Sequence, residues 1–98
     1  MNLKMQSVHF DADRKLVAFI RSKIEKLSRF YEGIVDGEVV LRLDHHKNSE
    51  NKIILIKVNV PGGEFISKKN SRTFEEATTL AVENLSTQIK KHKEKIKG

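Results

Sequence analysis

Between Lys52 and Val60 every second residue is a β-branched hydrophobe: Ile54, Ile56, Val58 and Val60 share one side of an extended backbone. A strand of this kind is stable only beside other strands and under a cover for its apolar side. The neighbouring segments supply both. Glu38 to Asp44 alternates in the same way, with Val39, Leu41 and Leu43 on one face and Val40, Arg42 and Asp44 on the other. Pro61-Gly62-Gly63 reads as a turn into a last strand at about 64–69, in which Phe65 and Ser67 alternate with Ile66 and Lys68. The short connections predict a meander of these three strands. A fourth strand is expected at 2–8, where Leu3-Lys4-Met5-Gln6 alternates, and His45 to Asn51 is expected to be a polar loop.

The cover comes from two segments whose apolar residues follow the helical period. Asp11 and Asp13 offer N-caps to a helix over about 13–32, with Leu16, Val17, Ile20, Ile24, Leu27 and Tyr31 on one side and Gly33 expected to stop it. Thr73-Phe74-Glu75-Glu76 matches a capping box, in which the threonine caps an amide and the glutamate reaches back to the threonine's own amide. The helix it opens is expected over about 74–96, with Phe74, Ala77, Ala81, Leu85, Ile89, His92 and Ile96 on one side. The order β-α-β-β-β-α predicts an α+β two-layer sandwich, a four-stranded sheet with two helices on one face and water on the other. The 98 residues are read as a single domain, 1–98.

Little in the chain points to catalysis. With no cysteine, there is no disulfide, no thiolate zinc site and no cysteine nucleophile, which fits a cytoplasmic protein. His45 and His46 are adjacent and would point to opposite faces of a strand, so they are poorly placed to chelate one metal. His92 falls on an apolar stripe and is expected to pack. Ser7, Ser22, Ser28 and Ser67 have no evident base and acid partners. Gly62-Gly63 is followed by no helix start or Lys-Ser pair and is not a phosphate loop. The first six residues carry no apolar stretch of signal-peptide length, and the longest apolar run, Ile53–Ile56, is too short to span a membrane. The expectation is therefore no enzyme, no cofactor, no metal and no membrane partner.

The lysines are more telling. The net charge is +6, and Thr87 to Gly98 holds five lysines against one glutamate, a net +4. Cations near a helix C-terminus complement its dipole, which accounts for one or two of Lys90, Lys91, Lys93, Lys95 and Lys97. It does not account for five, because like charges one turn apart repel, and Glu94 can pair with Lys90 or Lys91 without neutralising the group. The first helix adds a second signal. Lys15, Ser22, Lys26 and Arg29 lie beside its apolar stripe, and Lys23 projects between Leu16 and Phe30, where an apolar residue is expected. A lysine there can bury its stem and expose its head. Two parallel helices would bring Lys23 and Lys26 beside the 90–97 run as one basic surface. Lysine is a point charge suited to phosphate rather than base edges. With no tryptophan, one tyrosine and Phe65 as the only aromatic expected on the sheet, recognition by stacking is not expected. Folded RNA read by shape and phosphate is the expected partner.

The chain also resembles a known family, the ribosome hibernation promoting factors, or ribosomal subunit interface proteins. The likeness lies in Lys23-Ile24-Glu25-Lys26-Leu27 with Phe30-Tyr31, in Val39-Val40-Leu41-Arg42-Leu43, in Pro61-Gly62-Gly63-Glu64, in Phe74-Glu75-Glu76-Ala77, and in Leu85 through Lys93. It implies a fold similar to double-stranded-RNA-binding domains. It implies binding to the small ribosomal subunit and its rRNA, in the channel of mRNA and tRNA, blocking translation and preserving idle ribosomes in stationary phase or starvation. By position, Lys23, Lys26, Arg42, Lys90, Lys91, Lys93 and Lys95 match the family's basic residues. Thr87 stands where the family's Leu-x-Arg-Gln segment has arginine, a contact that is expected to be weaker or supplied by Lys91 one turn later. The likeness is to a short form without the C-terminal dimerisation domain, hence a monomer needing a second hibernation factor for ribosome dimers. A general structured-RNA-binding protein or RNA chaperone is the alternative. A small nuclease would rest on four histidines and a basic groove alone.

Overall fold

The structure is a computed structural model that describes residues 2–46 and 49–97, with side chains described as far as Glu94. Part of the expected 45–51 loop and the side chains of Lys95 and Ile96 lie outside the described residues. The elements follow the expected order: β1 (Asn2–Ser7), α1 (Arg14–Phe30), β2 (Asp36–Leu43), β3 (Lys52–Val60), β4 (Gly63–Ser71) and α2 (Phe74–Lys97). The sheet runs β1-β2-β3-β4. β1 lies parallel to β2, joined to it through α1, and β2, β3 and β4 form the antiparallel meander.

Register places Val39 opposite Ile56 and Leu41 opposite Ile54, so the apolar sides of β2 and β3 make one surface. Leu16, Ile20, Ile24 and Leu27 of α1 and Phe74, Ala77, Ala81, Leu85 and Ile89 of α2 close over it. Each fully buried branched side chain there contributes on the order of 1.5–3 kcal/mol. Both helices thus lie on one face, and the other face, with Val40, Arg42, Ile53, Leu55 and Lys68, remains open.

Local chemistry explains the element ends. Asp13 accepts the Leu16 amide at 2.8 Å and caps α1. Gly62 sits at φ +84° behind Pro61, the pairing a type II turn requires, and Val60 pairs with Gly63 across it. Thr73 Oγ1 accepts the Glu76 amide at 3.0 Å, but the Glu76 carboxylate takes the Ser71 hydroxyl at 2.8 Å instead of returning to Thr73. The capping box is therefore half formed, and its other half ties β4 to α2.

Gly33 works differently from the expectation that it stops α1. The helix ends at Phe30, with Tyr31 extended at φ −133° and its amide still on the Leu27 carbonyl at 3.0 Å. Gly33 is not among the left-handed glycines. It is instead a vacancy: a Cβ there would stand 2.8 Å from Tyr31 Cζ, so the bare backbone makes room for the tyrosine ring. β4 also runs beyond the expected 69 to Ser71, whose hydroxyl is the one held by Glu76.

Among the described residues, one buried polar side-chain atom is left without a partner. Ser67 Oγ, on the buried side of β4, is 3% exposed as a residue and has no hydrogen-bond partner. An unsatisfied buried hydroxyl costs about 1–3 kcal/mol. Ser67→Ala is expected to stabilise the fold by about 1 kcal/mol, read as a higher midpoint in thermal or urea unfolding.

Candidate nucleic-acid interface

Along α1, Phe19, Lys23, Lys26 and Phe30 recur at helical spacing and form the flank turned toward α2. With Leu27 below, Lys23, Lys26 and Phe30 line a groove completed by Val82, Glu83 and Ser86 of α2. The helices run in the same direction: Phe19 meets Thr73, Glu75, Thr79 and Leu80 near the start of α2, and Phe30 meets Lys90 and Lys93 near its end.

Aromatic rings hold the cations of this groove. Lys23 Nζ lies 5.5 Å from the Phe19 ring centre, so this half-buried lysine does fold its stem against the helix. Lys93 Nζ sits 5.1 Å from Phe30 and 4.9 Å from Tyr31, and Lys90 Nζ 5.9 Å from Phe30. Such contacts are worth about 0.5–1 kcal/mol at exposed sites. None of these lysines is ion-paired to a described residue, although Glu83 lines the groove. Among the described residues the ion pairs are those of Lys57 with Glu38 and Glu64, both at 3.7 Å, on the open face of the sheet. Glu94, which could pair with Lys90 or Lys91, has neither ammonium within 4.0 Å. Positive charge therefore gathers at the Phe30 end of the groove, Glu75 and Glu76 lie at the Phe19 end, and Glu83 lines both stretches.

The basic residues singled out in the sequence divide into groups. Lys90 and Lys93 hold the Phe30 ring, and Lys26 and Lys23 line the groove that Phe30 closes, Lys23 with its ammonium on Phe19. Lys91 is exposed on the far flank of α2, the side of Asn84 and Gln88, where Gln88 Nε2 donates to the Ile66 carbonyl of β4 at 2.9 Å. Arg42 lies on the opposite face of the protein with Val40, Ile53, Leu55 and Lys68. Lys95 belongs to the helical end of α2, its side chain outside the described residues. Thr87 uses its hydroxyl on the Glu83 carbonyl of its own helix, at 3.1 Å. Among the described residues no three His, Asp or Glu side chains are grouped to hold a metal, and no helix is long and apolar enough to cross a membrane. His92 packs edge-on against Phe65, ring centres 5.4 Å apart.

Phe65 faces the core, so the sheet offers no aromatic platform. The helix groove does: Phe30 is 51% exposed. Sequence reasoning missed it by looking for aromatics on the sheet. The signal was the i, i+4, i+7, i+11 spacing of Phe19, Lys23, Lys26 and Phe30.

The fold and groove define a class: a β-α-β-β-β-α domain with a cationic cleft between parallel helices. Residues 3–97 match the family described as Sigma 54 modulation protein / S30EA ribosomal protein, and the chain belongs to that family. It is 28% identical, over 98% of its length, to the ribosome hibernation promotion factor of Bacillus subtilis (strain 168), and spans about half (50%) of that relative. Its fold matches a ribosomal subunit interface protein from Coxiella burnetii with TM-score 0.84 at 20% identity, covering 95% of this chain and 98% of that one. The N-terminal domain of Thermus thermophilus Protein Y gives TM-score 0.80 at 26% identity, covering 94% and 99%. The family is described by its ribosomal and modulating roles rather than by a reaction, in keeping with the expectation of a non-enzyme.

The vacancy at Gly33 holds Tyr31, and Tyr31 helps hold Lys93. Gly33→Ala is expected to push the tyrosine ring aside and leave the fold intact. The check is the ring-current shift of the Lys93 ε-methylene in NMR spectra, which should move toward its random-coil value.

Proposed function

We propose that this protein is a ribosome-associated translation inhibitor that binds rRNA of the small subunit in the channel of mRNA and tRNA, and stabilises idle ribosomes in stationary phase or starvation. One observation carries the reading: in a member of the S30EA family, Lys23 and Lys26 line the inter-helix groove with Phe30, while Lys90 and Lys93 hold the ring of Phe30, and among the described residues none of the four is ion-paired. Such a group has its natural counter-charge in a phosphate backbone. The names of the Bacillus and Coxiella relatives support the ribosome as the source of that backbone. The shape supports a channel: the body is 45 Å long and 23 × 19 Å in section, a rod able to lie where a nucleic-acid helix would. No catalytic step enters this reading, and the chain acts by occupancy in the cytoplasm.

The helix face, rather than Arg42 on the sheet, is the primary contact. Lys91, on the outer flank of α2, is a secondary one. In cosedimentation with small subunits, Lys26→Glu combined with Lys93→Glu is expected to abolish binding with the fold preserved, whereas Arg42→Glu leaves most of it. Normal pelleting of the double variant refutes the surface. With five phosphate contacts, log K should fall against log salt with a slope of roughly −3.5 to −4.5. Equal affinity for arbitrary RNA duplexes and for ribosomes at one salt concentration would instead identify a general RNA chaperone.

A further inference from the structure

We infer that Phe30 is a stacking platform for an unpaired nucleobase, so that the groove takes a single-stranded or extruded nucleotide rather than a continuous duplex. The inference rests on the RNA-binding reading above and adds the kind of RNA recognised.

Phe30 closes α1 half exposed, while the other aromatics of this region, Phe19 and Tyr31, pack partly against the core. Its surroundings are those of a nucleotide site. Lys90 and Lys93 hold their ammonium groups within 6 Å of its ring, and Lys23 and Lys26 share its groove. A lysine held by a ring keeps all three N–H donors for a phosphate, and a flexible stem lets it move to one. As a lysine leaves for a phosphate, its aromatic face becomes free. A nucleotide satisfies both groups, its phosphate taking the ammonium and its base the ring. A duplex offers phosphates, but its bases are already stacked on one another and Phe30 would keep facing water. Unpaired nucleotides are the form of RNA whose bases can be taken by aromatic side chains.

The same geometry limits the site to one end. Toward Phe19 the groove is lined by Glu75, Glu76 and Glu83, which repel a phosphate chain. Phe19, half-buried beside these carboxylates, is no second platform; it holds Lys23, where the basic stretch of the groove ends. At the other end, Tyr31 shares the Lys93 ammonium with Phe30, and Gly33 leaves the space in which the tyrosine ring lies.

The chain has no tryptophan, so Phe30→Trp places a single indole at the platform, excited at wavelengths where Tyr31 does not absorb. The probes are a 12-nucleotide single-stranded oligoadenylate and a perfect RNA duplex of 16 base pairs, at one salt concentration. Phe30→Leu keeps an apolar side chain and removes the π face. It is expected to weaken single-strand binding about 5- to 100-fold, with an unchanged salt slope and unchanged duplex affinity. Phe30→Trp should bind the single strand at least as well as the natural chain, with its fluorescence quenched by the single strand and not by the duplex. Unaltered single-strand affinity in Phe30→Leu, or equal quenching by both RNAs, overturns the platform. Lys90→Gln with Lys93→Gln separates the two readings. If this pair loses binding while Phe30→Leu does not, the platform alone falls. If the pair binds as the natural chain does, or the natural chain binds neither RNA, the RNA-binding reading falls with it.

Discussion

Everything on the functional side of this protein depends on one packing event, the burial of the β2–β3 apolar face under two helices. Ile54, Ile56 and Val58 are completely shielded from water, and no single helix is wide enough to do that. Two helices are needed, and the chain path makes them parallel. α1 follows β1 and returns to a strand parallel to it, and α2 follows β4, two strands farther along the meander. Parallel neighbours bring their C-terminal ends together. The last turns of both helices, each partially negative by its backbone dipole, therefore lie side by side, and cations gather there. The lysine groove is a consequence of how the core is covered.

The sequence made the elements legible because the chain has two periods with little overlap. Lys52–Val60 has the structure's bounds, and Asp13 and Thr73 cap the helices as their chemistry requires. Where the reading failed, a side chain acted across the fold. Glu76 has a better partner in Ser71 than in the threonine three residues back, and Ser71 arrives only through the sheet. Gly33 was read as a conformational stop, yet its service is to be small beside Tyr31.

The site was legible in charge and less so in geometry. Lys23 stood out as a lysine in an apolar stripe, and the structure places it against Phe19 in the groove. The 90–97 run could not be divided by sequence alone. Which flank of α2 faces α1 is a tertiary fact, and it separates Lys93 from Lys91 by close to half a helical turn. Arg42 was assigned by position in a family pattern, although the alternation of β2 already set it on the face opposite Val39 and Leu41, away from the helices. Phe30 was passed over because a stacking surface was sought on the sheet, where Phe65 was the only aromatic expected.

The uneven charge along α2 has a kinetic consequence. The helix is about 36 Å long at 1.5 Å per residue, most of the protein's 45 Å length. Glu75 and Glu76 occupy its first turn and the lysines its last two. α2 is thus a bar with opposite signs at its ends. In the field of a large polyanion such a bar feels a torque before it makes any contact, and it turns its lysine end forward while still a Debye length away. Of all the orientations in which it could collide, the field selects those in which Phe30 and its lysines arrive first.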